Sequence, residues 1–144
     1  MNPEDYLSKH FQLKELTVTN YKAYGNTPNA AAIENLKRLC NEVLEPIRVC
    51  LGSKPLYVSS GYRSFLVNKA AGGAANSYHT KGLAADLHFS SASSAIKACF
   101  YILTCKLSLA ELILCKRGNS YWVHVALALP GDLKRIVTVK QYGN

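Results

Sequence analysis

No run of apolar residues in this 144-residue chain is long enough to cross a membrane, which takes about 20. The stretch from Met1 to His10 is polar and lacks the apolar core of a secretion signal, so synthesis in the cytoplasm is expected. None of the five cysteines, Cys40, Cys50, Cys99, Cys105 and Cys115, forms a C-x-x-C pair, which argues against a structural zinc knuckle. Their odd number and mostly apolar neighbours suit buried, reduced thiols. Acidic residues are scarce: nine Asp and Glu stand against 17 Lys and Arg, a net charge of +8. That excess favours encounter with polyanions such as nucleic acid, anionic lipid or an anionic cell wall. The basic residues are scattered, without an Arg-rich helix or an aromatic-basic stacking motif, so no specific nucleic-acid interface is expected. Repeats, low-complexity tracts and linkers are missing too. One domain over 1–144 is expected, with residues 1–27 as an N-terminal arm.

What is present suits a packed globular core: 49% of residues are hydrophobic and 18% charged. The arm carries an apolar patch at Leu7, Phe11, Leu13 and Leu16. From Pro28 to about Cys50, Ile33, Leu36, Cys40, Val43, Leu44 and Ile47 recur at helical spacing, with Pro46 placed to kink the helix near its end. Leu56 to Ser60 reads as a short strand, and Ser64 starts a helix that gives way to a small-residue loop, Ala70 to Asn76. Leu83 to Phe89 alternates as a strand does. Ser90 to Leu107 reads as a helix burying Ile96, Cys99, Phe100 and Leu103. Strands at Leu109–Cys115 and Ser120–Leu129 flank a turn at 116–119, and a last strand starts at Lys134. The class is α+β, helices packed on a small, largely antiparallel sheet.

Chemistry concentrates around two of the four histidines. In Ser77-Tyr78-His79-Thr80-Lys81-Gly82-Leu83-Ala84-Ala85-Asp86, Gly82 permits a sharp turn that lets a loop histidine and a strand aspartate converge. His124 sits within an apolar strand, where its ring needs a buried partner: a hydrogen-bonded core group or a metal ion. Two imidazoles and one carboxylate suit zinc with a fourth position left open.

Ser59-Ser60-Gly61-Tyr62-Arg63-Ser64, His79-x-x-Gly82-x-Ala84-x-Asp86 and Trp122-Val123-His124, in that order, resemble the zinc D-Ala-D-Ala carboxypeptidase family. That family includes phage endolysins cutting L-alanyl-D-glutamate bonds, and its fold is shared with the Hedgehog signalling domain. Phe11-x-Leu13-x-Glu15-Leu16 and Asn68-x-Ala70-x-Gly72-Gly73 are similar to its small phage and prophage members. The resemblance implies Zn2+ held by His79, Asp86 and His124. It implies that Arg63 holds a substrate carboxylate or developing oxyanion, and that Tyr62 and Ser77 either line the pocket or satisfy loop backbone. His88, two residues beyond Asp86 on the same strand face, is a rival ligand that the family motif does not use. The implied substrates are peptidoglycan stem peptides, with release by phage lysis or carriage in a virion.

The chain departs from the family in its acids. The position three residues before His124, where an acid is common, is Tyr121, and acids expected on the preceding strand are replaced by Ala110 and Cys115. Glu111 is the acid left inside the sheet. If 116–119 form the hairpin loop, Cys115 pairs with Ser120 and Glu111 falls directly opposite His124, as a candidate general base. A register one residue different would turn it away. The expected function is zinc-dependent hydrolysis of stem-peptide bonds. The alternative is a metal-containing module without turnover that binds wall fragments or a protein partner.

Overall fold

The computed structural model describes residues 1–143. Helical backbone runs unbroken from Ala30 to Cys50, but not as one regular α-helix. Asn29 caps α1 (Ala30–Leu39) by accepting the Ala32 N–H. Residues Cys40–Leu44 then widen into a π-turn in which the Glu45 N–H reaches back five residues to the Cys40 carbonyl. α2 (Glu45–Cys50) follows, with Pro46 in its first turn. The expected kink at Pro46 is thus met by widening the turn before it. A proline has no N–H to give and its ring crowds the carbonyl four residues back, and a π-turn relieves both.

Five strands form one open sheet of order β1-β2-β4-β3-β5. They are β1 (Tyr57–Ser60), β2 (Ala84–His88), β3 (Leu109–Arg117), β4 (Ser120–Leu127) and β5 (Arg135–Tyr142). Three of the four pairings are antiparallel, and β5 joins β3 in parallel. α3 (Phe65–Ala70), capped by Ser64, and α4 (Ala92–Thr104), capped by Ser91, complete the set. The fold is α+β with a small, mostly antiparallel sheet. None of the described helices is long and apolar enough to cross a membrane.

Alternation gives the sheet two unlike faces. Ala85, Leu87, Leu112, Val123 and Val125 point into the core, against Leu36, Leu39, Val43, Leu44 and Ile47 of the long helical segment and Ala95, Cys99 and Ile102 of α4. Leu7, Phe11, Leu13 and Leu16 of the arm close the same core. The opposite face carries Asp86, Glu111 and His124.

Three sequence expectations are corrected here. α4 buries Ala95, Ala98, Cys99 and Ile102, whereas Ile96, Phe100 and Leu103 face outward. Small alanines let the helix lie close to the sheet, and bulk decided the face against hydrophobicity. The β3–β4 loop contains two residues, not four: Arg117 pairs with Ser120, and Gly118 turns the chain at φ 58°. The cysteines are not all thiols. Cys50, ending α2, is bonded to Cys105, just past α4, while Cys40, Cys99 and Cys115 are free and buried. That pair is joined by helix packing across 55 residues, which no local pattern signals.

Candidate active site

His79 is delivered by a short 3₁₀ turn, Tyr78–Lys81, whose first N–H groups are capped by the Ser77 hydroxyl accepting from the His79 N–H. Gly82 ends the turn at φ 75° and sends the chain into β2, bringing Asp86 back towards His79. A side chain at 82 would be strained by that φ and would set a Cβ 2.6 Å from the Ala32 carbonyl oxygen. Pairing of β2 with β4 places Asp86 directly across from His124.

The three expected ligands converge. Each offers an atom within 4.8 Å of the others. The His79 Nδ1–H donates to the Gly61 carbonyl at 2.7 Å, which leaves Nε2 facing Asp86 Oδ1 at 3.3 Å. His124 Nδ1 lies 2.9 Å from the same oxygen. These separations match donors sharing one ion at about 2.0–2.2 Å, and two imidazoles with a carboxylate form a zinc-type donor set. A divalent cation fits these residues.

Glu111 was expected directly across from His124. Instead it pairs with Ala126, and Ile113 stands opposite the histidine. The shorter loop moves the register by two residues, which keeps Glu111 on the site face as a diagonal neighbour. From there its Oε1 still meets His124 Nε2 at 2.8 Å, while Oε2 pairs with Arg135 at 3.2 Å.

Charge is tightly balanced. Burial alone would push the Asp86 carboxyl upward, but the imidazoles of His79 and His124 hold it well below the usual carboxylate range. Burial would lower His124, yet its hydrogen bonds to Asp86 and Glu111 lift it to about 9. The hydrogen bond from His124 keeps the Glu111 carboxyl low against burial, helped by Arg135.

Arg63 enters from the loop after β1. Its Nε–H donates to Ser60 Oγ at 3.0 Å, one terminal amino group to Asn68 Oδ1 at 3.4 Å, and the other approaches Asp86 Oδ2 at 3.4 Å. The sequence reading missed Ser60 and Asn68 as the groups that aim this guanidinium; the signal available was a five-donor Arg close in sequence to a Ser and an Asn of the same motifs. Ser77 lines the cleft. Tyr62 does not. It is buried in the hydrophobic core, because its backbone N–H is held by the Leu16 carbonyl and its ring turns inward. His88, the rival ligand, is exposed and outside the converging group. Ala110 packs with Ala84 and Ala126. Cys115 is a buried thiol, pushed up to about 12 by burial and then by the Asp86 charge.

The site lies in a cleft of about 540 Å³, walled on one side by residues 18–21 and 71–74 and on the other by β3, β4 and β5. Arg117, Trp122, Arg135, Lys140 and Tyr142 belong to that second wall.

A family model described as Peptidase M15 matches residues 9–126. The zinc D-Ala-D-Ala carboxypeptidase of Streptomyces albus G is 33% identical over 87 residues, covering 60% of this chain. Those residues make up 34% of the Streptomyces protein, so the chain aligns with about a third of that relative's length.

Proposed function

This chain belongs to the peptidase M15 family, and on that footing we propose that it is a zinc metallopeptidase hydrolysing peptide bonds in peptidoglycan stem peptides. The observation that carries the reading is the convergence of His79, Asp86 and His124 in an open cleft, with Glu111 and Arg63 on either side. The relative's name supplies the metal and the class of substrate.

His79, Asp86 and His124 would hold the ion. Zinc, when bound, supplies Lewis acidity that polarises a scissile carbonyl and makes water a stronger acid. The Gly61 carbonyl fixes the His79 tautomer, so that Nε2 keeps its lone pair for the ligand position. Glu111 is the general base: its Oε1 takes the proton from the attacking water and passes it to the departing amine. Arg135 anchors Oε2, and Oε1, which meets His124 Nε2 at 2.8 Å here, would have to exchange that contact for the water. Arg63 orients a substrate carboxylate or the developing oxyanion, a role suited to a guanidinium already held by Ser60 and Asn68.

The missing acids at Ala110, Cys115 and Tyr121 favour a second reading, a metal-containing module that binds wall fragments or a protein partner without turnover. Glu111 answers that objection by supplying an acid from the other side of His124.

Release of free D-Ala or stem fragments from purified peptidoglycan separates the readings. Zinc-loaded protein should release product, a chelator should stop it, and Glu111→Gln should slow it by about 10²–10⁴-fold. Free D-Ala identifies a carboxypeptidase and internal stem fragments an endopeptidase. No release from several wall types would leave the binding module. Turnover unchanged in Glu111→Gln would remove Glu111 as the base.

A further inference from the structure

The far wall of the cleft holds a cluster of cations and aromatic rings that the metal chemistry does not use. Trp122 and Tyr142 stack with centroids 5.4 Å apart. The Arg117 guanidinium lies 5.8 Å from the Trp122 centroid and 5.4 Å from that of Tyr142. Lys140 Nζ sits 4.9 Å from the Tyr142 ring.

Pairing explains why these groups share the site face. Cys115 is opposite both Trp122 on β4 and Lys140 on β5, and Arg117 is opposite Tyr142. All lie at even spacing from Ile113, the partner of His124. A bulge at Val137, with φ 54°, shifts β5 by one residue and sets Thr138, Lys140 and Tyr142 on this face. Lys140 and Tyr142 lie beyond the residues that match the family model.

Charge sets these cations apart from the rest of the cleft. Arg63 is engaged by Asp86 and Arg135 by Glu111. Arg117 and Lys140 are exposed and have no carboxylate partner among the described residues. The rings leave their cationic ends free while restricting their motion, so both are poised to receive an anion.

We propose that Arg117 and Lys140, mounted on Trp122 and Tyr142, form a subsite for a carboxylate carried by the same peptide whose bond lies at the metal site. The cluster stands two to four strand residues from His124, about 7 to 14 Å at the strand rise. An extended peptide covers that distance in about two to four residues. The cleft is continuous between the two places, which favours one peptide spanning both over a separate polyanion. This inference rests on the peptidase reading for the identity of the peptide, but its test needs no turnover.

Trp122 is the single tryptophan of the chain, so its fluorescence reports occupancy of this wall directly. Zinc-loaded protein would be titrated with acetyl-Glu-Ala-Lys-D-Ala-D-Ala and with the same peptide bearing Gln for Glu. The Glu peptide should perturb Trp122 saturably and bind about tenfold more tightly at low salt, and Arg117→Gln with Lys140→Gln should bring the two affinities together. Equal affinity of the wild type for both peptides would overturn the subsite, as would a preference surviving the double variant. Glycerol phosphate polymer is the competing anion: displacement of Trp122 signal by it, with no discrimination between the peptides, would assign the wall to phosphate and also overturn the proposal. Binding without release of D-Ala would retain the subsite and sink the carboxypeptidase form of the peptidase reading. Cleavage without discrimination would do the reverse.

Discussion

Reducing the Cys50–Cys105 bond leaves every strand pairing in place and acts first on the unfolded chain. The bond closes a loop across 55 residues between the ends of α2 and α4. Loop-closure entropy for that length is about 14 cal/mol/K, which at 25 °C makes the oxidised protein more stable by about 4 kcal/mol. For a 144-residue chain, that corresponds to a melting temperature about 10–14 °C higher. Urea unfolding of the wild type with and without a phosphine reductant measures the difference, and Cys50→Ser with Cys105→Ser should match the reduced wild type. Native thiol labelling gives an independent count. Cys40, Cys99 and Cys115 are buried, so the oxidised protein should show no rapidly reacting thiol and the reduced protein two. A midpoint indifferent to reductant would refute the reasoning, and so would two fast thiols in the untreated protein.

Saturation with zinc at about 100 times its Kd should stabilise the fold by about 2.7 kcal/mol, and His79→Ala should abolish the increment in a thermal melt. At Glu45, burial would raise the carboxyl, but the Ser8 hydroxyl, the His10 ring and the His10 N–H together hold it below its ordinary value. Its contribution is therefore complete above about pH 4.3 and fades as the pH falls through the lower folded value. Glu45→Gln should flatten that acid limb in pH-dependent urea titrations; an unchanged limb would show that the clamp adds nothing. Gly82→Ala meets both a left-handed backbone and the Ala32 carbonyl and should destabilise by about 2 kcal/mol or more, read as a lower urea midpoint at unchanged slope.

The legible parts of this molecule were those encoded by local pattern or chemical scarcity. Runs of strand-forming residues between turn signals located the strands, the motifs shared with the family singled out His79, Asp86 and His124, and the scarcity of acids left Glu111. Contacts made by tertiary packing were not legible. The face of α4 was misjudged because hydrophobicity favoured Phe100 and Leu103, whereas close approach to the sheet demanded Ala95 and Ala98. The hairpin loop was read two residues too long, yet Glu111 stayed on the right face, since a slip of two preserves the side of a strand. Tyr62 sits inside a motif, but its neighbours in sequence did not reveal that its ring belongs to the core. The β5 side of the cleft was invisible because its side chains reach the site only through a parallel pairing with β3.

Two hydrogen bonds run in opposite senses between His79 and the loop after β1. The His79 ring donates to the Gly61 carbonyl, and the Arg63 N–H donates to the His79 carbonyl at 3.0 Å. The proposed ligand and the arginine proposed to orient substrate are thereby geared together, and neither can change position alone. Loosening this loop should register as a single compound defect, with metal retention and substrate orientation declining in proportion. An inhibitor that levers Arg63 aside would, by the same gearing, tend to eject the ion as well.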